Sequence, residues 1–222
     1  MNYDPAPLLL SFELALWSTA ILLLIGVPLA WWLAFGSHRC QPIVETLIAM
    51  PLVLPPTVLG FYLLLLFGRG GWLWSLLNPL GIQLVFTFEG LVVASVIASL
   101  PFMVHPLQSG FRAVPLSLVE ASYTLGKSRL TTLLRVLLPN MKPALLAGIV
   151  LTFAHVVGEF GVVLMIGGSI PGVTRVASIA IYDEVQGLNY SVANSHALIL
   201  FAVTFAVLLI VYGFSRRFFR TL

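Results

Sequence analysis

The chain has 222 residues, of which 59% are hydrophobic and only 9% charged, and its mean hydropathy is +1.05. An average soluble domain carries about 25% charged residues, so this composition excludes one and sets most of the surface against lipid. The formal net charge of +3 does not point to nucleic acid, because the charges fall in short blocks between apolar runs rather than along one face.

The opening M-N-Y-D-P-A-P contains no cation and so lacks the basic start of a cleaved signal peptide. Residues 1–10 are expected to form a short external tail, and the first apolar run to be a retained span. A bilayer core takes roughly 20 apolar residues in a helix. Residues 14–37, 46–68, 90–111, 143–165 and 197–214 meet that length, which predicts an all-α integral membrane protein with about five spans. Cys40, the one cysteine, excludes a disulfide within the chain and reads as an inert thiol beside Arg39. Residues 70–88 are apolar and uncharged, but Gly70-Gly71, Asn78-Pro79 and Gly81 punctuate them as turns. They are predicted to be an external loop with Trp72 and Trp74 on a short helix at headgroup depth. Residues 215–222 are expected to be a cytoplasmic basic tail, leaving no room for a regulatory or nucleotide-binding module.

With the N-terminus outside, Arg39, Arg112, Lys127, Arg129, Arg135, Lys142, Arg216, Arg217 and Arg220 are cytoplasmic, and only Arg69 and Arg175 are external. A sixth span at 70–88 would exchange Arg39 with Arg69 and satisfy the rule equally well. Either topology puts residues 112–142 in the cytoplasm.

Three stretches carry candidate function. In the second span, Pro51, Pro55 and Pro56 remove backbone donors and free carbonyls inside the membrane. Such breaks persist where protein or water satisfies the freed groups, so this is a pore-facing hinge or a static kink packed on its neighbours. In the fourth span, Glu159 is a costly carboxylate near mid-membrane, with His155 one turn earlier on the same face. The pair is a packing contact or part of a path or gate. Thr57, Ser95, Ser99, His155 and Glu159 are the polar groups available to line a path. No Lys or Arg lies in the middle of a span, so an anion would meet hydroxyls, backbone amides and helix N-termini. Facing a dianion, Glu159 is expected to be protonated, paired with His155, or turned into the helix interface.

The third stretch is the loop 112–142. Ser117 and Glu120 have capping-box spacing after Pro115. Leu118, Ala121, Ser122 and Leu125 recur at helical spacing, giving an apolar-to-small face, and Gly126 ends that helix. Residues 128–138 form a second amphipathic segment with Arg129 and Arg135 outward, stopped by Pro139. On pattern alone this is a helix pair anchored at the headgroups by its arginines, or a surface for a partner. The nearest approach to a Walker sequence, Gly126-Lys127-Ser128, lacks the upstream glycine.

The run from Glu120 to Pro139, E-A-S-Y-T-L-G-K-S-R-L-T-T-L-L-R-V-L-L-P, resembles the coupling motif of ABC-importer permeases, E-A-A-x3-G-x9-I-x-L-P. Glu120, Ala121, Gly126, Leu138 and Pro139 match, while Ser122 replaces an alanine and Val136 the isoleucine. P-L-V-L-P-P from Pro51, G-E-F-G from Gly158 and I-P-G-V-T-R from Ile170 are similar to molybdate-type permeases of the type I class. The resemblance implies a homodimeric permease of the bacterial inner membrane, serving two cytoplasmic ABC ATPase subunits and a periplasmic oxyanion-binding protein. ATP and magnesium would belong to the ATPase, with no cofactor on this chain. Ala121 and Ser122 would let the partner approach closely, and Glu120 would pair with a basic residue there. Molybdate is the first substrate it implies, with tungstate, sulfate or thiosulfate as the alternative. A stand-alone carrier using Glu159 and His155 as a proton relay has no use for the coupling motif. An intramembrane enzyme lacks a catalytic constellation, having neither H-E-x-x-H nor G-x-S-x-G.

Overall fold

The computed structural model describes residues 4–36 and 39–219, and every regular element among them is helical. Helix α1 (Ala6–Phe35) starts earlier than the sequence suggests. Pro7 lacks an N–H but lies in the first turn, where none is needed, so the helix absorbs Leu8, Leu9 and Leu10. The expected tail of residues 1–10 is therefore shorter.

The stretch 46–68 is two helices, α2 (Gln41–Val53) and α3 (Pro56–Phe67). Leu54 and Pro55 each precede a proline and are driven to extended backbone, with ψ of 137° and 134°. A short helix α4 (Trp72–Leu77) follows, with a single 3-10 turn after it. Length and apolarity alone would carry one span from Pro56 to Leu80. However, Phe67 and Gly68 share a cavity with Val85 and Phe86, the residues leading into α5 (Phe88–Ala113). Helix α3 thus ends beside the start of α5, and α4 reaches the same cavity through Trp74.

The segment between α5 and α9 holds α6 (Leu116–Thr124), α7 (Arg129–Thr132), a π turn at Leu133–Leu137 and α8 (Leu138–Asn140). Together Arg129–Asn140 form one rod, meeting α9 (Lys142–Gly158) at 81°. The fourth span then breaks at Glu159 and resumes as α10 (Gly161–Gly167). Helices α11 (Ala177–Gln186) and α12 (Tyr190–Phe219) complete the chain. Four helices or helix runs meet the length and apolarity of a span, five with the bent pair. Arg220 lies outside the described residues, and only the backbone of Arg216 and Arg217 is described.

Helices α1, α5 and α9 form the centre. Phe35 meets Phe111 edge-on, and a Cβ on Gly26 would lie 2.9 Å from Met103, so α1 and α5 run the same way. A Cβ on Gly110 would meet Ala144 at 2.4 Å and one on Gly148 would meet Met103, so α9 runs opposite to α5. Small residues set both approaches. The core divides in two. An outer half gathers Leu14, Leu63, Leu91, Val157, Val163 and Ile179. An inner half gathers Leu22, Met103, Leu107, Phe111, Leu137 and Met141. Ser18, Thr19, Ser99 and Thr152 lie between them in sequence on the three central helices, and Ser95 within the outer half, all buried and with no hydrogen-bond partner among the described residues.

Candidate functional site

Two places concentrate the candidate residues. The first is the elbow made by α6 and the rod that follows it. Pro115, extended, leads directly into α6, which puts Ser117 inside the first turn rather than at its cap. The Ser117–Glu120 capping box is therefore not formed. At the other end Gly126 adopts φ 68°, with its N–H on the Tyr123 carbonyl and that of Lys127 on the Ser122 carbonyl. This is the paired closure of a Schellman turn and requires the left-handed residue the sequence supplies. Ser128 then caps α7 by accepting from the Thr131 N–H.

Ser122 does not face outward. It is buried, and its hydroxyl bonds that of Thr132 at 2.8 Å, tying α6 to the rod. The inward side of α6 is thus Val119 and Ser122, so of the apolar-to-small row Leu118, Ala121 and Leu125 stay exposed and only Ser122 turns in. Pro139 does not stop the second segment either. Its missing N–H leaves a carbonyl one turn back unclaimed, the ladder widens into the π turn just before it, and the helix runs on to Asn140. Leu133 and Leu137 enter the inner core, with Val119 and Leu138 packed against it, while Val136 is half-buried. On the two helices of the elbow, Glu120 and Ala121 are exposed, and the side chains of Leu116 (63% exposed), Leu125 (74%), Leu130 (62%) and Leu134 (54%) stay uncovered. Uncovered leucines on a polar segment are the composition of a surface that meets protein.

The second place is the meeting of the two broken spans. A Cβ on Gly161 would lie 2.7 Å from Pro56 and 3.0 Å from the Thr57 nitrogen. One on Gly60 would lie 2.8 Å from Met165. The outer halves α3 and α10 therefore pack backbone to backbone from their breaks outward. Thr57 is exposed in the first turn of α3. Glu159 is not mid-helix as the sequence implied. It is the extended residue that ends α9, and its carboxylate accepts the Val162 N–H at 3.1 Å, capping α10. Its other oxygen lies 3.2 Å from His155 Nε2, and its carbonyl accepts from the Ser178 hydroxyl. His155 stacks on Phe102 with 4.0 Å between centroids. Glu159 is buried, and its carboxylate and carbonyl tie the break between α9 and α10 to Val162, His155 and Ser178. Ser95 and Ser99 are fully buried in α5, with no hydrogen-bond partner among the described residues. The break was marked in the sequence only by glycines on both sides, Gly158 and Gly161. Nothing singled out Glu45, whose carboxylate takes hydrogen bonds from Gln108 and Arg112 and ties α2 to the inner end of α5.

Residues 26–221 match the family described as the binding-protein-dependent transport system inner membrane component. The chain belongs to that family. It is a multi-pass protein of the inner membrane. It is 46% identical to the molybdenum transport system permease protein ModB of Azotobacter vinelandii, over 98% of this chain and 96% of that one. It is 38% identical to the corresponding protein of Mycobacterium tuberculosis, over 95% of this chain and 78% of the other. The sulfate transport system permease protein CysT of Salmonella typhimurium is 32% identical, with 88% and 70% covered. Among solved structures, the MetNI methionine ABC transporter aligns with TM-score 0.73 over 95% of this chain and 94% of that chain, at 17% identity. A bacterial alginate ABC transporter aligns with TM-score 0.78 over 98% and 80%, also at 17%. The fold is that of type I ABC-importer permeases.

Proposed function

We propose that this chain is the membrane-spanning subunit through which an ATP-driven importer brings a tetrahedral oxyanion, molybdate first, into the cytoplasm. The observation that carries the reading is the elbow, a two-helix surface with uncovered leucines and an exposed Glu120, held rigid by the Gly126 turn and the Ser122–Thr132 bond. An ATPase subunit docks there through Glu120, Ala121 and the leucines. Ser122, Gly126, Val136, Leu138 and Pro139 set the shape of the elbow. ATP and magnesium are bound by that subunit. Leu133, Leu137 and Met141 anchor the rod in the inner core, so displacement of the elbow is passed to α5 and α9.

Two copies of the chain form the passage, and a periplasmic binding protein delivers the anion to its outer mouth. At mid-membrane the path runs past Thr57 in the first turn of α3, whose hydroxyl and own N–H substitute for water around the anion without holding it tightly, the Val58 and Leu59 N–H groups being taken by the Pro55 carbonyl. Glu159 and His155 sit behind that wall and fix the hinge. Molybdate is favoured over sulfate by the higher identity to molybdenum permeases, 46% against 32% for the Salmonella sulfate permease. Uptake of radiolabelled molybdate by proteoliposomes holding the permease, its ATPase and its binding protein tests the reading. Uptake that depends on ATP and outcompetes excess sulfate is the expected result. Uptake without ATP would sink the coupling, and preference for sulfate would transfer the assignment to the alternative.

A further inference from the structure

On the external side a cavity of about 610 Å³ opens beside the end of α3, lined among others by Phe67, Arg69, Trp74, Asn78, Gln83 and Phe86. Its polar lining brings together donors from Arg69, Trp74 and Asn78. Three cation-carboxylate contacts occur among the described residues, and none involves Arg69. Arg175, the other external cation, is committed to Asp183 and Ser169. Neither the Trp74 indole N–H nor the Asn78 side chain has a hydrogen-bond partner among the described residues. The Gln83 amide already donates to the Val85 carbonyl. No carboxylate lines the cavity. The chain position holds Arg69 there, one residue past Gly68, where the terminal carbonyls of α3 favour a cation.

We propose that this cavity is an external binding site for a tetrahedral oxyanion, gripped by the Arg69 guanidinium with the Trp74 indole N–H and the Asn78 amide as further donors. A guanidinium presents paired N–H groups that match two oxygens of such an anion, and a charged acceptor makes each bond stronger. The anion is either the free oxyanion arriving from outside or the phosphate of an anionic lipid headgroup, the Trp72 and Trp74 side chains of α4 being of the kind that settles among headgroups. The site rests on the transport reading only for which free anion reaches it.

Equilibrium dialysis of radiolabelled molybdate, sulfate and inorganic phosphate against the full-length permease in neutral phosphatidylcholine nanodiscs, at fixed ionic strength, tests the site. Saturable binding is expected, weakened about tenfold or more by Arg69→Gln and partly restored by Arg69→Lys. Asn78→Ala and Trp74→Phe should each weaken it less, and Arg175→Gln should leave it unchanged. Nanodiscs containing phosphatidylglycerol separate the sources. A headgroup occupant excludes the dialysed anion in the wild type and not in Arg69→Gln, whereas a free-anion site binds equally in both lipids. Binding and lipid exclusion that are the same in wild type and Arg69→Gln overturn the proposal. Failed molybdate uptake with Arg69-dependent anion binding would sink the transport reading alone. Normal uptake with no Arg69 dependence would sink this site alone.

Discussion

At Gly126 a single side chain decides whether the elbow keeps its angle. A Cβ there would meet nothing within 4 Å, so space is not the constraint; the φ of 68° is. A β-branched residue in that region costs on the order of 1–3 kcal/mol, enough to unwind a surface turn without unfolding the bundle. Gly126→Val should therefore abolish most uptake and ATPase stimulation while the protein still inserts, and Glu120→Ala should do so partially. Normal uptake by a well-expressed Gly126→Val variant would remove the coupling role. Glu159 makes a different kind of demand. Its oxygens are used by the Val162 N–H and by His155, and Gln can serve both. Glu159→Gln should retain most uptake. Leu leaves a buried N–H unsatisfied, a loss of about 1–3 kcal/mol, and should collapse the hinge. Complete loss of uptake in a correctly assembled Gln variant would show that the charge itself is used.

At the level of elements, the crossing of α3 and α10 depends on having no side chain at Gly161 and Gly60. Gly161→Leu drives the side chain into Pro56 and the Thr57 backbone, an overpacking that typically costs about 1–3 kcal/mol. Loss of uptake without loss of ATPase binding, scored by co-purification, is the expected outcome; wild-type uptake would mean the crossing opens freely. The sequence made one of the two breaks legible and hid the other. Prolines 55 and 56 act locally, each through its own ring, and so the α2–α3 break could be read directly. The break at Glu159 has no proline. It exists because a carboxylate reaches the Val162 N–H and a hydroxyl on α11 reaches the Glu159 carbonyl, and the second contact spans 19 residues of chain. In the elbow, Gly126 was legible for the same local reason. The direction of Ser122 was not, because Thr132 comes to it only after the turn closes.

For the whole molecule, the runs of apolar residues were enough to read an all-α multi-pass protein, and four or five helix runs of spanning length lie among the described residues. Helix starts were missed where proline favours rather than ends a helix, as at Pro7. Topology remains directly testable. In a Cys40→Ser background, a membrane-impermeant thiol reagent should label Asn78→Cys but not Ser128→Cys in intact cells. Labelling at 128 would invert the orientation of every span. Helix α12 shows what the single chain leaves unfinished, since only 6% of its most apolar window is buried.

The unpartnered hydroxyls of Ser18, Thr19, Ser99 and Thr152 also have a mechanical consequence. Bulky side chains interlock and resist shear, as do the leucines and valines of the two core halves. Small hydroxylated ones have little to disengage, and with no fixed acceptor they lose no bond when neighbours slide. Compliance in this bundle is therefore concentrated in one thin stratum near mid-membrane. The blocks above and below it can tilt against each other as solids, and a push on the cytoplasmic rod reaches the outer half as rotation rather than as melting.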